Sequence, residues 1–362
     1  MSEEKELGVL RDQIDALDQQ IHTLINERAQ CAQQVAVVKE KYANGARIQF
    51  YRPEREAQVL RKVMARNQGP IGDEDMARLF REIMSVCLAL EEPLKVAYLG
   101  PEGTFTQAAA IKHFGHSAEC LSQGSISDVF REVEAGAVNY GVVPVENSTE
   151  GVVTHTLDCF VESPLQICGE VALRIHHHLL VKQDSTQIDK IYSHPQSLAQ
   201  CRQWLDTHYP NIERIPVSSN AEAARRASLE TNVAAIAGDS AAELYGLTAK
   251  ASNIEDLPDN TTRFLIMGRD KTEASGEDKT SIMVSSRNQP GALYHALEPF
   301  HKAGVSLTRI ETRPSRSGAW NYVFFIDFEG HASDKTIQGV LSAVGQNASE
   351  VKLLGAYPKA VL

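Results

Sequence analysis

An apolar stripe near the start of the chain constrains the fold most strongly. Apolar residues recur there at steps of three and four, as on one face of a long helix, first at Leu10, Ile14, Leu17, Ile21 and Leu24 and then at Cys31, Val35 and Val38. Arg28 occupies the position of the stripe between these two groups. Burying a guanidinium group is costly unless an anion meets it. The stripe therefore predicts a helix that packs against another helix and holds an anion site at Arg28.

Two further cations on the same helix bear on that anion site. Lys39 lies about three helical turns beyond Arg28 and returns to nearly the same face. Arg11 lies before Arg28 by roughly 25 Å along the axis and about a quarter-turn, so no small ligand touches both from one straight helix. If both serve one ligand, Arg11 comes from a second, antiparallel copy of the chain. The alternative is that Arg11 and Lys39 are ordinary solvated charges.

Composition narrows the classes of protein that this chain can be. Its 362 residues, 43% hydrophobic and 23% charged, suit a folded protein of two or three domains. A net charge of −11 argues against nucleic acid as a partner, but small anions stay open because local arginines decide those. The chain has no apolar run of about eighteen residues, and its acidic start lacks the apolar core of a signal peptide. We therefore expect a cytoplasmic protein that does not bind membranes.

Neither the cysteines nor the histidines suggest a metal site. The six cysteines form no CxxC pair and predict reduced thiols, at positions 31, 87, 120, 159, 168 and 201. His176, His177 and His178 are consecutive, but neighbours in a strand point to opposite faces, and no H-E-x-x-H spacing accompanies them. We expect these histidines to be structural and no metal to be bound.

Residues 1–92 are predicted to be all-helical. Breaking and capping residues place a first helix at about 7–42, with a break at Asn44-Gly45, a second from Pro53, and a third from Asp73 to just before Pro93. A helix of that length with two shorter ones cannot bury its apolar stripe alone. The region therefore needs a partner chain.

The pattern changes to α/β from Leu94 onward. Short apolar runs alternate with helical stretches, at 96–99, 140–145, 179–182, 233–237 and 264–267. Three loops of small polar residues follow strands and precede helices, at 100–107, 144–151 and 193–197. Ligands of open α/β sheets bind at such strand ends. Thr104, Asn147, Ser148 and Ser197 could each be a mere N-cap, but three such loops in one domain favour an anion-binding cleft.

The last part of the chain is a third unit. Polar residues 270–279 predict a linker, and a strand–helix–strand–strand–helix–strand order of about eighty residues follows. The sequence contains no P-loop and no GxGxxG fingerprint.

Motifs in all three regions resemble those of one enzyme family, the bifunctional chorismate mutase–prephenate dehydratases. Residues 1–92 resemble the mutase through Leu10-Arg11, Glu27-Arg28, Val38-Lys39 and 52–56. Residues 94–270 resemble the dehydratase through 100–105, 144–148, 193–196 and 262–264. Residues 280–362 resemble an ACT regulatory domain through 291–293 and 311–314.

The resemblance implies a fold for each region. Residues 1–92 are expected to be an all-α, intertwined, dimerising mutase domain. Residues 94–270 are expected to be a two-lobed α/β dehydratase like a type II periplasmic-binding fold, with one lobe at 94–174 and 258–270 and the other at 176–255. Residues 280–362 are expected to be an α+β, βαββαβ ACT domain. A homodimer or a higher homo-oligomer is implied.

The resemblance also assigns roles in rearranging chorismate to prephenate. Arg28, with Arg11 of the second chain, would hold the two carboxylates, and Lys39 would point at the ether oxygen. Arg55 and Glu56 match positions near the ring hydroxyl and carboxylate, and Cys87 and Glu91 match further positions of the substrate site. No metal or organic cofactor is implied for this reaction.

Three positions depart from the family pattern. Related mutases often have aspartate where this chain has Arg52, so the role of that aspartate is not carried over to Arg52. Cys87 stands where serine is usual, and its role here could be packing alone. Glu91 stands where many mutases have glutamine. Glutamine donates a hydrogen bond at any pH, whereas glutamate donates only when protonated. Mutase activity should therefore fall as pH rises, unless burial raises the pKa of Glu91 enough. The alternative is that Glu91 is an exposed residue at a helix end.

For the dehydratase, which converts prephenate to phenylpyruvate without a cofactor, the resemblance makes Thr262 the residue that assists the leaving hydroxyl. Arg263 and Phe264 would shape the site. Thr104, Asn147, Ser148 and Ser197 are the candidates for holding the anions. From its position alone, Thr262 is only a polar residue at the start of a strand.

In the ACT domain, Gly291, Ala292 and Leu293 would let an amino-acid ligand approach the backbone, although Gly291 after Pro290 also suits a helix start. Glu311, Thr312 and Arg313 would lie across an interface between two copies. We expect L-phenylalanine to inhibit the dehydratase by favouring a closed state.

Besides a bifunctional enzyme of phenylalanine biosynthesis, the sequence leaves two alternatives. The first is a cytosolic amino-acid sensor whose helical region serves only for dimerisation, but a pure dimerisation helix has no use for Arg28. The second is a mutase fused to prephenate dehydrogenase, which requires the missing dinucleotide fingerprint.

Overall fold

Three helices form the N-terminal part of the computed structural model, which describes residues 3–43, 48–183, 185, 187–286, 290–314 and 322–362. They are α1 (Glu3–Tyr42), α2 (Pro53–Arg66) and α3 (Asp73–Ala89). Acidic residues occupy all three first turns, where they complement the helix dipole, and Pro53 begins α2. The predicted break at Asn44-Gly45 lies outside the described residues.

The apolar stripe of α1 is on the surface of this chain. Leu10, Ile14, Leu17, Ile21 and Leu24 are between 54% and 63% exposed. Among the described residues of α1, only Ala36 is buried. Helices α2 and α3 instead pack on each other and on the rest of the chain. The long helix thus presents an apolar face that this chain leaves uncovered.

Residues 95–268 form two sheets with helices around them. The strands are β1 (Lys95–Leu99), β2 (Glu119–Gln123), β3 (Tyr140–Asn147), β4 (Gly151–Val152), β5 (Gln166–Arg174), β6 (His178–Val181), β7 (Lys190–Ser193), β8 (Glu213–Pro216), β9 (Val233–Ala237), β10 (Thr248–Ala251) and β11 (Thr261–Gly268). The helices are α4 (Phe105–Phe114), α5 (Ile126–Glu134), α6 (Thr154–Glu162), α7 (Pro195–Gln200), α8 (Arg202–His208), α9 (Asn220–Leu229) and α10 (Asp239–Tyr245).

Each sheet is the centre of one lobe. The first has the order β2-β1-β3-β11-β5, with β4 added beside β3, and the second has the order β10-β6-β9-β7-β8. Strand β11 returns from the second lobe and lies antiparallel between β3 and β5. The predicted two-lobed architecture, with its return to the first lobe, is confirmed.

The C-terminal unit is a four-stranded sheet with two helices on one face. Its elements are β12 (Asp278–Ser286), α11 (Ala292–Ala303), β13 (Leu307–Pro314), β14 (Tyr322–Glu329), α12 (Lys335–Asn347) and β15 (Glu350–Pro358), and its strand order is β13-β14-β12-β15. This is the predicted βαββαβ order.

The other face of this sheet packs directly on the first lobe. Met283, Phe325 and Tyr357 share one core with Phe160 and Ile167. A Cβ atom at Gly355 would clash with the backbone of Ile167, so glycine is required for this close approach. The sheet is therefore covered on both faces, by its own helices and by the first lobe.

Residues 270–279 do not form the solvated linker that their composition predicts. Ser275 and Asp278 are buried, and the Asp278 carboxylate accepts hydrogen bonds from the backbone N–H groups of Ser275 and Gly276. Arg61 of α2 donates to Ser275 Oγ at 3.0 Å and to the Glu277 carbonyl at 2.9 Å. Polar residues here satisfy one another inside a docked turn, which composition alone does not reveal.

Candidate active sites

The first candidate site is an open cleft of about 740 Å³ between α1, α2, α3 and the docked turn at 273–274. The structure brings six predicted mutase residues to its walls, namely Arg28, Lys39, Arg55, Glu56, Cys87 and Glu91. Arg11 is exposed and does not line the cleft. This agrees with the distance along the helix that separates it from Arg28.

Lys39 and Glu91 face each other across this cleft. The Lys39 Nζ donates to the carbonyls of Gln49 and Phe50, at 3.4 and 3.1 Å, and lies 4.0 Å from Glu91 Oε2. The chain after α1 thus holds the ammonium group at a defined point of the cleft.

Glu91 is not the exposed helix-end residue that was the alternative. Its side chain is 11% exposed, and its buried Oε2 has no hydrogen-bond partner among the described residues. Burial raises the pKa of this carboxyl, although the nearby charges of Lys39 and Arg28 act to lower it. A buried carboxyl with a raised pKa, whose Oε2 has no hydrogen-bond partner among the described residues, can donate a hydrogen bond to a ligand while it is protonated.

Glu56 lines the cleft but is paired with a residue that the sequence reading missed. Its Oε1 lies 3.2 Å from Nε of Arg81 on α3. Burial raises the Glu56 pKa, while Arg81 opposes that rise. Arg81 also donates to the Lys112 carbonyl on α4 at 2.7 Å. Arg81 is thus a link between the helical region and the first lobe.

Tyr51 and His113 make a second such link. The Tyr51 hydroxyl and His113 Nε2 are 3.0 Å apart. Burial lowers the His113 pKa to about 3, so this ring is neutral at any working pH. Since the partners are distant in sequence, no local pattern could have identified this contact.

Replacing Arg81 with methionine should destabilise the protein by about 3–5 kcal/mol, because the buried Glu56 carboxylate loses its cation. Thermal melting and urea unfolding of the variant would measure this. The double variant Arg81→Met/Glu56→Leu should recover most of the loss. Wild-type stability of Arg81→Met would contradict the pairing.

Arg52 stands where related mutases often have aspartate, and its side chain is held by hydrogen bonds. Its Nε donates to Glu54 at 2.6 Å, and its Nη2 donates to Glu273 of the docked turn at 2.8 Å. These carboxylates raise the Arg52 pKa. The guanidinium is therefore held at the rim of the cleft by two carboxylates.

The second candidate site lies between the two lobes, at the ends of β3 and β11. Asn147 Nδ2 donates to Thr262 Oγ1 at 2.7 Å and to Asn260 Oδ1 at 2.9 Å. The amide orientation is fixed because Asn147 Oδ1 accepts from Thr149 N, Thr149 Oγ1 and Glu150 N. Thr262 Oγ1 therefore accepts from Asn147, and its own proton remains available for another acceptor.

Gln200 joins the second lobe to this network, and the sequence reading missed it. It lies at the end of α7, donates to Thr149 Oγ1 at 3.0 Å and accepts from Asn260 Nδ2 at 3.1 Å. His177 Nε2 lies 2.9 Å from the same Gln200 oxygen, which makes this nitrogen the donor. Burial lowers the His177 pKa, which favours the neutral ring.

The other predicted anion-holding residues are engaged locally. Thr104 donates to the Pro101 carbonyl at 2.9 Å, and Ser148 accepts from Thr261 N at 2.9 Å. Ser197 is buried and accepts from Asn220 Nδ2 at 2.8 Å. Each of these contacts shapes a loop at the lobe boundary, and direct anion binding by these residues stays a prediction.

Arg263 and Phe264 do not line the cleft as the sequence reading expected. Phe264 is 1% exposed in the core of the first lobe. The Arg263 guanidinium points to the ACT sheet and donates to Glu170 at 2.8 Å and to Asp327 at 2.6 Å. Successive residues of a strand point to opposite faces, so Arg263 faces away from the side on which Thr262 lies.

The predicted regulatory residues gather at one end of the ACT sheet. Gly291 has φ of 82° and precedes α11, which begins with Ala292 and Leu293. Glu311, Thr312 and Arg313 lie at the end of β13, an edge strand. Strand alternation places Thr312 on the helix face, whereas Arg313 reaches Asp158 of α6 at 3.1 Å. Their roles in ligand binding stay predictions.

The three consecutive histidines have separate partners. His176 Nδ1 lies 2.8 Å from Glu255, His177 contacts Gln200, and His178 Nε2 lies 3.1 Å from Asp239. In the part of the chain that the structure describes, no group of three His, Cys, Asp or Glu residues is arranged for a metal ion. Within the same residues, no helix is long and apolar enough to cross a membrane.

Three family models match the chain in succession. They are chorismate mutase type II at residues 10–92, prephenate dehydratase at 96–272 and the ACT domain at 280–346. The bifunctional chorismate mutase/prephenate dehydratase of Stutzerimonas stutzeri is 62% identical over the full length of both chains. This chain belongs to the bifunctional chorismate mutase/prephenate dehydratase family.

Two solved structures match about three quarters of the chain. A prephenate dehydratase from Arthrobacter aurescens in complex with L-Phe is 34% identical, with a TM-score of 0.68 over 73% of this chain and 90% of that one. A structure described as GqqA, a novel type of quorum quenching acylase, is 28% identical, with a TM-score of 0.68 over 74% of this chain and 98% of that one.

The family membership confirms the predicted activities and the order of the modules. The chain is a bifunctional enzyme, an isomerase and a lyase, with an ACT regulatory domain after the two catalytic modules. The amino-acid sensor and the dehydrogenase fusion are thereby excluded as descriptions of the chain.

Proposed function

We propose that each mutase site is built by two copies of this chain, with chorismate bound in the cleft at Arg28. The observation that supports this most directly is the apolar stripe of α1, which is more than half exposed from Leu10 to Leu24. A second, antiparallel α1 would cover the stripe and bring its Arg11 towards the cleft. A homodimer is the smallest assembly that meets this need.

Within the proposed site, charge and shape carry the rearrangement. The guanidinium groups of Arg28 and the partner's Arg11 bind the two carboxylates, since their forked donors suit carboxylates. This holds the compact conformer that the reaction requires. Lys39 then stabilises the negative charge that develops on the ether oxygen.

Subunit complementation tests the shared site. Arg11→Ala and Arg28→Ala homodimers should each lose most mutase activity, because every site contains the defect. Unfolding and refolding a mixture should form heterodimers with one intact site, and recover activity towards about a quarter of the wild-type value. No recovery from a mixture whose heterodimers are shown by mass spectrometry would contradict the proposal.

Mutase activity should fall as pH rises, because Glu91 donates to the ether oxygen only while it is protonated. Burial raises the Glu91 pKa and so moves the fall to higher pH than for an ordinary glutamate. The measurement is kcat/KM from about pH 5 to about pH 9. Glu91→Gln, which donates at any pH, should give a flatter profile, and a flat wild-type profile would refute this role.

We propose that Thr262 donates a hydrogen bond to the departing hydroxyl of prephenate. Asn147 Nδ2 occupies one acceptor position of Thr262 Oγ1, which orients the hydroxyl proton towards the cleft. Aromatisation drives the loss of CO₂ and hydroxide, so the protein needs to position the substrate and assist the leaving oxygen. Gln200 supports the arrangement by joining the lobes at Thr149 and Asn260.

The anions of prephenate require a partner other than Arg263, whose guanidinium is engaged at the ACT sheet. We assign them to the N-terminus of α4, preceded by Gly103 and Thr104, where no side chain caps the helix and the helix dipole favours negative charge.

We propose that L-phenylalanine binds this ACT domain and inhibits the dehydratase. The related Arthrobacter aurescens dehydratase was solved in complex with L-Phe, and Gly291–Leu293 lie at the same end of the sheet as Thr312 and Arg313. Saturating phenylalanine should reduce dehydratase turnover and raise the melting temperature. Absence of both effects would refute the regulation.

The module limits 1–92, 94–270 and 280–362 and a cytoplasmic location stay proposals. The limits are supported by where α3 ends and β1 and β12 begin. None of the cysteines in the described residues forms a disulfide, which is compatible with a reducing compartment.

A further inference from the structure

The strands that carry Asn147 and Thr262 have a second functional face. Thr262 lies opposite Asn147 in the register of β11 and β3, and Arg263 lies opposite Glu146. Since successive residues alternate between faces, one cross-strand pair belongs to the cleft and the next pair faces the ACT sheet. The residue after the proposed hydrogen-bond donor is therefore a contact to the regulatory domain.

Arg263 is fully engaged on that second face. Its Nε donates to Glu170 at 2.8 Å, its Nη1 to Asp327 at 2.6 Å and its Nη2 to the Tyr357 hydroxyl at 3.0 Å. The Glu170 and Asp327 side chains are each 6% exposed. Ser281 of β12 donates to the other Asp327 oxygen at 2.6 Å.

A second contact reaches β3. Arg309 of β13 places its Nε 3.2 Å from Glu146 Oε2 and its Nη1 4.0 Å from Asp327. Lys279 of β12 donates to Glu170 at 2.7 Å. We name these six side chains the strand–ACT cluster, with three cations and three anions: Arg263, Lys279, Arg309, Glu146, Glu170 and Asp327.

The charges of this cluster constrain one another. They cancel formally. Glu170, Asp327 and Arg309 are 6%, 6% and 9% exposed, whereas Glu146 is 40% exposed. Displacing the partner of one of the three buried charges would leave it unpaired, which is costly. Strand β13 carries both Arg309 and the predicted ligand residues Thr312 and Arg313, and it is an edge strand with a neighbour on one side. A shift of β13 would therefore move Arg309 relative to Glu146, the residue that precedes Asn147.

We propose that the strand–ACT cluster transmits the effect of phenylalanine from the ACT domain to Asn147 and Thr262. This inference rests on the proposed phenylalanine regulation. Ligand binding at the end of β13 moves Arg309 relative to Glu146 and Asp327. The movement of Arg309 displaces the Glu146 and Asp327 carboxylates. This shifts the cross-strand neighbours Glu146 and Arg263, and it changes the Asn147–Thr262 hydrogen bond that follows them on the same strands.

The double variant Glu146→Gln/Arg309→Gln tests this directly, because it removes one contact without leaving an unpaired buried charge. We expect the phenylalanine concentration for half-inhibition of the dehydratase to rise at least about tenfold. Calorimetry should still detect phenylalanine binding, within about threefold of the wild-type Kd. Arg309→Lys, which keeps the charge, should retain most of the inhibition.

Lys352→Met is the matched control. Lys352 crosses the same interface and donates to the carbonyls of Phe160, Val161 and Ser163, but it contacts neither β3 nor β11 through these bonds. It should leave inhibition unchanged. Equal loss of inhibition in Lys352→Met would show general loosening of the interface and overturn the proposal.

Unchanged inhibition in a folded Glu146→Gln/Arg309→Gln variant would also overturn it. If that variant does not fold, Tyr357→Phe removes one partner of Arg263 at constant shape, and we expect a rise of about threefold, with no rise counting against the cluster. A wild-type enzyme that neither binds nor responds to phenylalanine would instead refute the underlying regulation.

Discussion

Lys39→Met should lower mutase kcat/KM about 10³-fold, or about 4 kcal/mol in transition-state stabilisation. The variant removes the charge that, in the proposed mechanism, meets the developing negative ether oxygen, while most of the apolar length of the side chain is kept. The variant also removes the donor to the Gln49 and Phe50 carbonyls at the cleft edge, so its folding is checked by thermal melting alongside the rate. The rate is measured from the decrease in the ultraviolet absorbance of chorismate.

The same variant carries its own control in the second module. Dehydratase activity with added prephenate should remain at the wild-type value, because Lys39 is remote from the lobe cleft. Lys39→Arg, which keeps the charge, should lose less activity than Lys39→Met. Retention of mutase turnover in Lys39→Met would remove this residue from the proposed mechanism.

Thr262→Ala should reduce dehydratase kcat about 10²- to 10³-fold, the range for a proton donor in the transition state. It removes the hydroxyl that Asn147 orients at 2.7 Å. KM should change less than kcat, since the hydroxyl acts on the leaving group. Phenylpyruvate formation from prephenate measures both constants.

Thr262→Ser is the matched control, because it keeps the hydroxyl and removes a methyl group. It should retain activity within about tenfold of wild type. Mutase activity should be unchanged in both variants. Full dehydratase turnover by a folded Thr262→Ala protein would show that the hydroxyl takes no part.

Local patterns predicted the elements whose signal lies within one segment. The stripe of α1 gave the long helix and placed Arg28 at a cleft, Pro53 marked the start of α2, and the apolar run Val233–Ala237 is β9. Edge strand β2 was missed because it is half exposed and has no continuous apolar run. Strand β5 was missed because Glu170 interrupts its apolar residues. This carboxylate is buried only because Arg263, which is distant in sequence, pairs with it.

The contacts between modules could not be predicted from one sequence. The face of β11 that is left open towards the lobe cleft depends on the ACT sheet covering the other face, and Arg263 lies on the covered face. Gln200 reaches Thr149 from the other lobe, and Arg81 meets Glu56 from another helix. Such pairings depend on tertiary packing, which spacing along the chain does not encode.

A mixing experiment with chorismate as the sole substrate tests the central claim, that these residues define two separate sites acting in sequence. Lys39→Met alone should form little prephenate, and Thr262→Ala alone should accumulate prephenate without phenylpyruvate. The two variants mixed should form phenylpyruvate with no added cofactor, because prephenate released by one is consumed by the other. Phenylpyruvate from Thr262→Ala alone at the wild-type rate, or none from the mixture despite accumulated prephenate, would contradict the account.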